Sequence, residues 1–573
     1  MTAVAGQAAL GPLQLLPDAL NASFKLVPAI MVSLMLLLFL GIGYAFRVAD
    51  TEDLWVAGRS IGNVENGMAI GANWMSAASY LGMAALIALS GYYGLAFVVG
   101  WSTGYFILLI FLAAQMRRFG KYTAPDFVGD RFDSDAARAI AALTTILIGF
   151  VYSVGQARGM GLVGIYVFGG DYVTMVVLLM AITVGYLALS GMLGATKNMA
   201  VQYVILIVAF LAGLYAVGFS QGYSTIAPQI EYGALLSQLD AEFTEPFATG
   251  GIYIWVATAF SLIVGTCGLP HVLVRFYTVE SERTARWSTV WGLFFICLLY
   301  LSAPAFAAFG TDLYANSVGD VYGASGMSGA EGDVIVVIAS QLANLPTWFV
   351  GLVAAGGIAA AIATTAGLFI AASSAAAHDI YTNIINPEAS QRQQLLVGRA
   401  TIVGLGAVVT LFALDPPALV GELVSYAFSL AGLVLFPMFF LGLWWENANR
   451  QGALAGMTTG LLIWVAAIVN EVLPAYVGFL SAGESGAIVP LYADIFPAIG
   501  AALAGTPIVF AVTILVSMAT AEPDEEIKRI VRQCHSPEPM GQQQSAEEVA
   551  ATDGGTDAVT DGGKSVADEA TED

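Results

Sequence analysis

The chain has 573 residues, of which 58% are hydrophobic and only 11% are charged, and its mean hydropathy is +0.77. Soluble domains are typically about 45–50% apolar and about 25% charged, so this composition excludes a soluble multidomain protein and indicates a polytopic helical membrane protein. The net charge of −22 excludes nucleic acid as a partner, because nothing here could neutralise a phosphate backbone.

Apolar segments near 20 residues long predict 13 membrane-spanning helices within a domain at residues 26–520, preceded by an extracellular segment at residues 1–25. The first apolar segment is too long and begins too late for a cleaved secretory signal. In chain order, predicted helices 1 to 13 occupy residues 26–46, 67–92, 95–116, 140–168, 173–191, 199–220, 253–274, 287–310, 348–377, 400–414, 419–444, 453–472 and 495–520.

Lysine and arginine set the predicted orientation, because cytoplasmic loops carry an excess of these residues. They follow predicted helices 1, 3, 5, 7, 9 and 11, whereas the long connections 221–250 and 311–346 contain none. The odd-numbered connections are therefore predicted to be cytoplasmic, with the N-terminus outside and the C-terminus inside.

The C-terminal segment is strongly acidic. From Glu522 onwards there are 14 acids and four bases, a net charge of −10, and the last part is rich in Gly, Ala, Thr and Asp. Such a composition buries too little apolar surface to fold, so we predict that residues 521–573 form a disordered cytoplasmic tail. The overall acidity fits a protein adapted to high salt, and an ordinary acidic tail would give the same balance.

Two predicted helices contain small residues that favour a break in the membrane. Predicted helix 2 contains GANWMSAAS at residues 71–79, and predicted helix 7 contains GTCGLP at residues 265–270. Counting five spans from each gives two sets, helices 2–6 and 7–11. Because five is odd, the two sets have opposite orientations in the membrane, as expected for an inverted repeat. Small residues also allow close helix packing, but their matched positions favour broken helices.

Arg158 is the one charged residue well inside a predicted span, in the string GQARGMG of predicted helix 4. An intramembrane arginine indicates a functional site by default, and it could meet an anionic solute, tie freed carbonyls, or extend toward the membrane surface. Because the acids of the spans lie at predicted helix ends, neutral oxygens must hold a coupling cation, which favours sodium over a proton. Thr364 of predicted helix 9 offers such an oxygen, although helical threonine commonly bonds to its own preceding turn.

These segments resemble the sodium:solute symporter family, and within it the acetate-permease-like branch of cation/acetate symporters. The resemblance covers predicted helices 2 to 9 in family order. The matching strings are NWMSAASYLGMAALIALSGYYGL, RRFGKYTAPDFVGDR, GQARGMG, GTCGLPHVLVRFYTV and AAGGIAAAIATTAGLFIAASSAAAHDIY. It implies an all-α protein with the LeuT-type 5+5 inverted-repeat fold and sodium-coupled uptake by alternating access.

The resemblance also implies the site residues. The sodium ion is expected on the carbonyls of Ala72, Met75 and Ala360 and the hydroxyl of Thr364. The residues expected to meet the solute are Asn73, Ser76, Gln156 and Arg158. One departure is Ala363, where members with two adjacent hydroxyl ligands have serine; Thr365 or a backbone carbonyl is the expected substitute. Leu262 and Thr266 replace the residues that hold proline or sugars in other branches.

The leading hypothesis is therefore a multi-pass cell-membrane symporter for sodium and a small organic anion, most simply a short monocarboxylate such as acetate. The alternatives are a symporter of the same fold for an amino acid, sugar or other neutral solute, and a transporter-like sensor. An enzyme is disfavoured because His271, His378 and His535 are scattered in the sequence and form no metal or triad pattern. We expect His271 and His378, at cytoplasmic helix ends, to be structural.

Overall fold

The computed structural model describes residues 24–47, 57, 61–120, 123–223, 226–239, 241–247, 250–322, 326–476 and 487–536. Across these residues the chain is helical and contains no β-strand, which confirms the predicted all-α class. Eleven of the helices are long and apolar enough to cross a membrane. Nearly all of the predicted extracellular segment, and the acidic tail after residue 536, lie outside the described residues.

The first half of the chain forms helices α1 to α6. The helix α2 is in two parts, and α5 and α6 are the portions of one long helix before and after Gly191. Their bounds are Leu26–Ala45 for α1, Asn63–Trp74 and then residues 78–90 for α2, Leu95–Phe111 for α3, Asp135–Phe168 for α4, and Tyr172–Ser220 for α5 with α6.

The second half forms helices α7 to α14. The helix α9 is continued by a π-helical segment, Ala375–Ile385, and α7 is continued after a break by Pro270–Leu273. The bounds are Gly251–Gly268 for α7, Glu282–Ser317 for α8, Thr347–Ser374 for α9, Gln391–Phe412 for α10, Val420–Trp444 for α11, Arg450–Glu471 for α12, Ala502–Ala519 for α13, and Glu525–His535 for α14.

Two of the eleven long helices are interrupted by a glycine with positive φ. Gly91 (φ 57°, ψ −144°) divides the 34-residue stretch Ala78–Phe111, and Gly191 (φ 56°, ψ −159°) divides the 49-residue helix Tyr172–Ser220. Glycine adopts this backbone conformation without steric cost, and about 20 residues suffice for one crossing. Gly91 lies one residue before the predicted end of helix 2, and Gly191 lies at the predicted end of helix 5. The number of crossings and their orientation stay predictions.

The helix α9 is the central helix of the described fold. All of its most apolar 18-residue window is buried, against 33% for α10 and for α13, which therefore lie at the periphery. It packs against α1, α4 and the long helix that contains α5 and α6. Its sequence from Val353 to Ala363 is mostly alanine and glycine, and such small residues let neighbouring helix backbones approach closely.

The helix α14 lies within the segment that we predicted to be disordered. Residues 525–535 are helical and pack against the membrane-spanning part of the chain. Arg118 donates to the carbonyl of Cys534 (2.9 Å), and the His535 ring lies 2.8 Å from the carbonyl of Leu443. Arg532 pairs with Glu446 (2.9 Å), and its hydrogen bonds hold the pKa of that carboxyl below its ordinary value. The folded part of the chain therefore extends past the predicted boundary at residue 520.

Candidate functional site

The break in α2 releases backbone carbonyls from the helical hydrogen-bond ladder. The amide of Ser76 donates to the carbonyl of Trp74 (2.7 Å), whereas an α-helix would direct it to Ala72. The amide of Ser79 donates to the carbonyl of Ser76 (3.0 Å), whereas an α-helix would direct it to Met75. Ala72 and Met75 are fully buried, so both carbonyls lie inside the protein with their usual amide donors diverted.

A third released carbonyl, that of Asn73, contacts α9. The amide of Ala77 would donate to Asn73 in a regular helix, but it donates instead to the side-chain oxygen of Gln156 (2.8 Å). The Asn73 carbonyl accepts a hydrogen bond from the Thr364 hydroxyl (2.8 Å). The hydroxyl of Thr364 is therefore directed at the break in α2 and not at its own preceding turn.

The two adjacent threonines of α9 behave differently. Thr365 donates to the carbonyl of Ala361 (2.8 Å), four residues before it, which is the ordinary arrangement of a helical threonine. Ala360 and Ala363 are fully buried, and Ala360 lies one turn before Thr364. The structure thus brings Thr364 to the α2 break, whereas the hydroxyl of Thr365, an expected substitute for a serine at position 363, is used within α9.

Asn73 also joins α2 to α7. Its side-chain amide donates to the carbonyl of His271 (3.1 Å). The approach of α9 is close enough that a Cβ atom added at Gly367 would lie 2.0 Å from the side-chain oxygen of Asn73. A side chain at position 367 would therefore displace the side chain of Asn73 from this position.

The break in α7 occurs where the sequence predicted it. Leu269 is extended (φ −74°, ψ 118°) because the following Pro270 disfavours the helical conformation and lacks an amide hydrogen. His271 follows the break, is 1% exposed, and neither of its ring nitrogens has a hydrogen-bond partner among the described residues. The sequence analysis expected a structural histidine at a helix end, whereas the structure places His271 where the two broken helices meet.

Ser76 and Gln156 both bind the start of the second part of α2. The Ser76 hydroxyl oxygen accepts from the amides of Ala78 (3.1 Å) and Ser79 (3.3 Å), as a capping residue does. The oxygen of Gln156 binds Ala77, while its side-chain nitrogen is buried without a partner among the described residues. Both predicted solute residues therefore lie at the break, and Gln156 keeps an unused donor there.

Arg158 is paired with an acid that the sequence analysis did not single out. Its Nε donates to Asp333 Oδ2 (2.7 Å), and Asp333 is fully buried in the helix Gly329–Asp333 between α8 and α9. Asp333 also accepts a hydrogen bond from the amide of Val420 (3.3 Å) at the start of α11. The ion pair thus ties α4 to the α8–α9 connection and to α11, and contact between Arg158 and a solute stays a prediction.

Four aromatic side chains form a shell beside the break in α2. The Phe428 ring of α11 packs against three other rings. Its centroid lies 5.4 Å from that of Trp74, 5.8 Å from that of Trp101 and 5.7 Å from that of Tyr152. We call these four residues the aromatic shell. Tyr152 also contacts the His271 ring (5.5 Å), and the indole nitrogens of Trp74 and Trp101 are buried with no partner among the described residues.

The sequence analysis missed most of this shell. Trp101, Tyr152 and Phe428 lie on three helices that are distant in the sequence, so no local pattern groups them. The available signal was the depth of Trp101 and Tyr152 in the membrane. Tryptophan and tyrosine are enriched at membrane interfaces, whereas these two residues occur within predicted spans.

Comparison with known proteins identifies the relatives of this chain. An uncharacterized symporter of Cupriavidus necator is 29% identical, over 86% of this chain and 91% of the relative. An uncharacterized symporter of Bacillus subtilis is 31% identical, over 73% of this chain and 80% of the relative.

A solved structure shares the fold. A Na⁺-coupled sialic acid symporter in a substrate-bound outward-open state superposes with a TM-score of 0.68 at 16% identity, over 88% of this chain and 100% of that chain. The likeness shows a shared LeuT-type fold. Residues 54–460, which include both helix breaks and all of α9, match the model of the sodium:solute symporter family, and the chain therefore belongs to that family.

Proposed function

We propose that the protein takes up a short monocarboxylate such as acetate together with sodium, by alternating access. Membership of the family supports sodium-coupled uptake of a solute across the membrane, and the solute class is what this proposal adds. The observation that carries the proposal is the meeting of two broken helices at Asn73, with the Thr364 hydroxyl on a carbonyl that one break has released.

The sodium ion is proposed to bind the carbonyls of Ala72, Met75 and Ala360 and the hydroxyl of Thr364. Hard cations take carbonyl and hydroxyl oxygens, and the diverted amides leave the carbonyls of Ala72 and Met75 available. The short distance between Thr364 and the Asn73 carbonyl supports a role for that hydroxyl at the break.

The carboxylate of the solute is proposed to accept hydrogen bonds from neutral donors at the break, with Asn73 and Ser76 nearby. Gln156, Trp74 and Trp101 each carry a buried nitrogen that has no partner among the described residues. A desolvated anion is costly unless donors or a cation meet it, and a nearby sodium ion offsets its charge. The bulk of the aromatic shell favours a small solute.

Arg158 is the remaining proposed solute contact, and its pairing favours a second candidate function. A solute carboxylate must displace or share Asp333 to reach this guanidinium. Because the ion pair already neutralises the buried cation, a sodium symporter for a neutral solute is the alternative that this observation supports.

Uptake by the purified protein in proteoliposomes tests both candidates. Labelled acetate, propionate, pyruvate, proline and glucose are compared under an inward sodium gradient and under an equal potassium gradient. We expect acetate accumulation that requires the sodium gradient. Accumulation of proline or glucose without acetate contradicts the monocarboxylate proposal, and acetate uptake that is equal in potassium contradicts sodium coupling.

A further inference from the structure

A second polar cluster lies where α9 ends in its π-helical segment. His378 and Asp379 of that segment face Asp126 of the short helix Ala124–Arg131, which connects α3 to α4. One nitrogen of His378 and one carboxylate oxygen of each aspartate lie within 4.8 Å of one another. The sequence analysis expected His378 to be structural and singled out neither aspartate.

One carboxylate oxygen of this cluster lacks a donor. Asp379 is fully buried, and the Thr123 hydroxyl donates to its Oδ1 (2.9 Å), but its Oδ2 has no hydrogen-bond partner among the described residues. A buried carboxylate oxygen without a partner is strongly disfavoured. Asp126, which is 3% exposed, places a second carboxylate beside it, so a cation bound by both aspartates would offset the repulsion between their charges.

The arginine of the cluster has no hydrogen bond to Asp379 among the described residues, although its charge also acts on that carboxylate. Arg138 donates to Asp126 Oδ1 (2.7 Å) through one terminal nitrogen and to Asp130 through the other. The guanidinium therefore fixes the orientation of the Asp126 carboxylate. The His378 Nε2 lies 3.0 Å from Asp126 Oδ2, so an imidazole nitrogen and a carboxylate oxygen are direct neighbours in the cluster.

The donor set and its spacing fit a metal ion. Nitrogen and oxygen ligands of one divalent ion lie about 2.0–2.4 Å from it, so they are at most about 4.0–4.8 Å from each other. Imidazole suits transition metals such as Zn²⁺, and carboxylates also suit Mn²⁺. A cavity of about 390 Å³, lined by Asp126, Asp130, Arg138 and His378 among others, reaches two of the three candidate ligands.

We propose that Asp126, His378 and Asp379 bind a divalent transition-metal ion of the Zn²⁺ or Mn²⁺ class. Thr123 fixes the orientation of the Asp379 carboxylate, and Arg138 fixes that of Asp126. The ion links the end of α9, the helix that carries Thr364, to the connection before α4, and thereby restrains the end of α9. The proposal does not depend on the identity of the solute.

Calorimetric titration of the full-length, chelator-treated protein in lipid nanodiscs with ZnCl₂ and with MnCl₂ tests the proposal. The variants are Asp379→Asn and His378→Gln. The matched control is His535→Gln, because that ring bonds to the Leu443 carbonyl outside the cluster and lies beside Cys534, a competing zinc ligand. We expect one ion per chain, bound at least about tenfold more weakly by both variants and unchanged in the control.

Two results overturn the proposal: the absence of saturable binding of either metal, or wild-type affinity in the cluster variants. If Asp379→Asn does not fold, His378→Gln decides alone, since this side chain is 17% exposed and its replacement leaves the buried carboxylates in place. Loss of binding in His535→Gln, with binding retained in His378→Gln, also overturns the assignment.

Discussion

The substitution Thr364→Val removes the hydroxyl at the α2 break while it keeps the shape of the side chain. In the structure this hydroxyl donates to the Asn73 carbonyl at 2.8 Å, and the residue is fully buried. Thr365→Val is the matched control, because Thr365 is equally buried and its hydroxyl bonds to Ala361 at the same distance, 2.8 Å. Both variants lose one internal hydrogen bond, and only Thr364→Val loses a proposed sodium ligand.

The expected magnitudes separate the two roles. Loss of an internal hydrogen bond lowers the free energy of unfolding by about 0.5–1.5 kcal/mol, and we expect this effect in both variants. Loss of a ligand from a buried site costs about 1–3 kcal/mol of binding free energy, by analogy with a buried polar group left without its partner. This range corresponds to a sodium concentration for half-maximal uptake that is about 5–150-fold higher in Thr364→Val.

Initial rates of solute uptake in proteoliposomes, measured against external sodium at a saturating solute concentration, provide the assay. Each rate is divided by the amount of folded protein, so that a stability effect does not appear as a change in sodium affinity. An unchanged sodium dependence in Thr364→Val, or an equal change in Thr365→Val, would refute the proposed site.

Three further predictions concern topology, the buried ion pair and a perturbed amine. In sealed, right-side-out vesicles, a membrane-impermeant thiol reagent should label Asp320→Cys and spare Glu388→Cys, and labelling at residue 388 would contradict the predicted orientation. Asp333→Asn leaves the guanidinium of Arg158 without its carboxylate, so we expect a loss of about 3–5 kcal/mol of stability, measured as a lower melting temperature in detergent; an unchanged melting temperature would contradict a structural role for the pair. Burial lowers the pKa of Lys25 to about 8, so this side chain becomes neutral above that pH, and its modification by an amine reagent should be half-maximal near pH 8 rather than at the higher pH of an ordinary lysine.

Local signals were enough to predict the broken helices. Proline at position 270 and the small residues around Ser76 act on their own segments, so their effect on the backbone is readable from neighbouring positions. The family strings likewise located Thr364, and the structure adds that its hydroxyl faces the break. Sequence analysis therefore predicts a structural feature well when the residues that produce it lie within about one helical turn of it.

The missed features all depend on contacts between distant segments. Arg158 and Asp333 are 175 positions apart, and Asp333 lies in a connection whose acids served only as evidence for orientation. Phe428 joins the aromatic shell through the packing of α11 on α2, α3 and α4, which no periodicity within α11 reveals. Burial decides the role of each of these residues, and burial follows from the assembled fold.

The Asn73 position has a consequence for how such a protein can diverge. Its main-chain oxygen accepts from Thr364 of α9, whereas its side chain contacts the His271 carbonyl and Gly367, so substitution of this residue changes the side-chain contacts and retains the main-chain one. The proposed ion ligands on α2 are likewise main-chain oxygens, which every amino acid supplies. Evolution can therefore replace the side chains around the solute while the chemistry offered to the ion is inherited unchanged, provided that α2 stays broken.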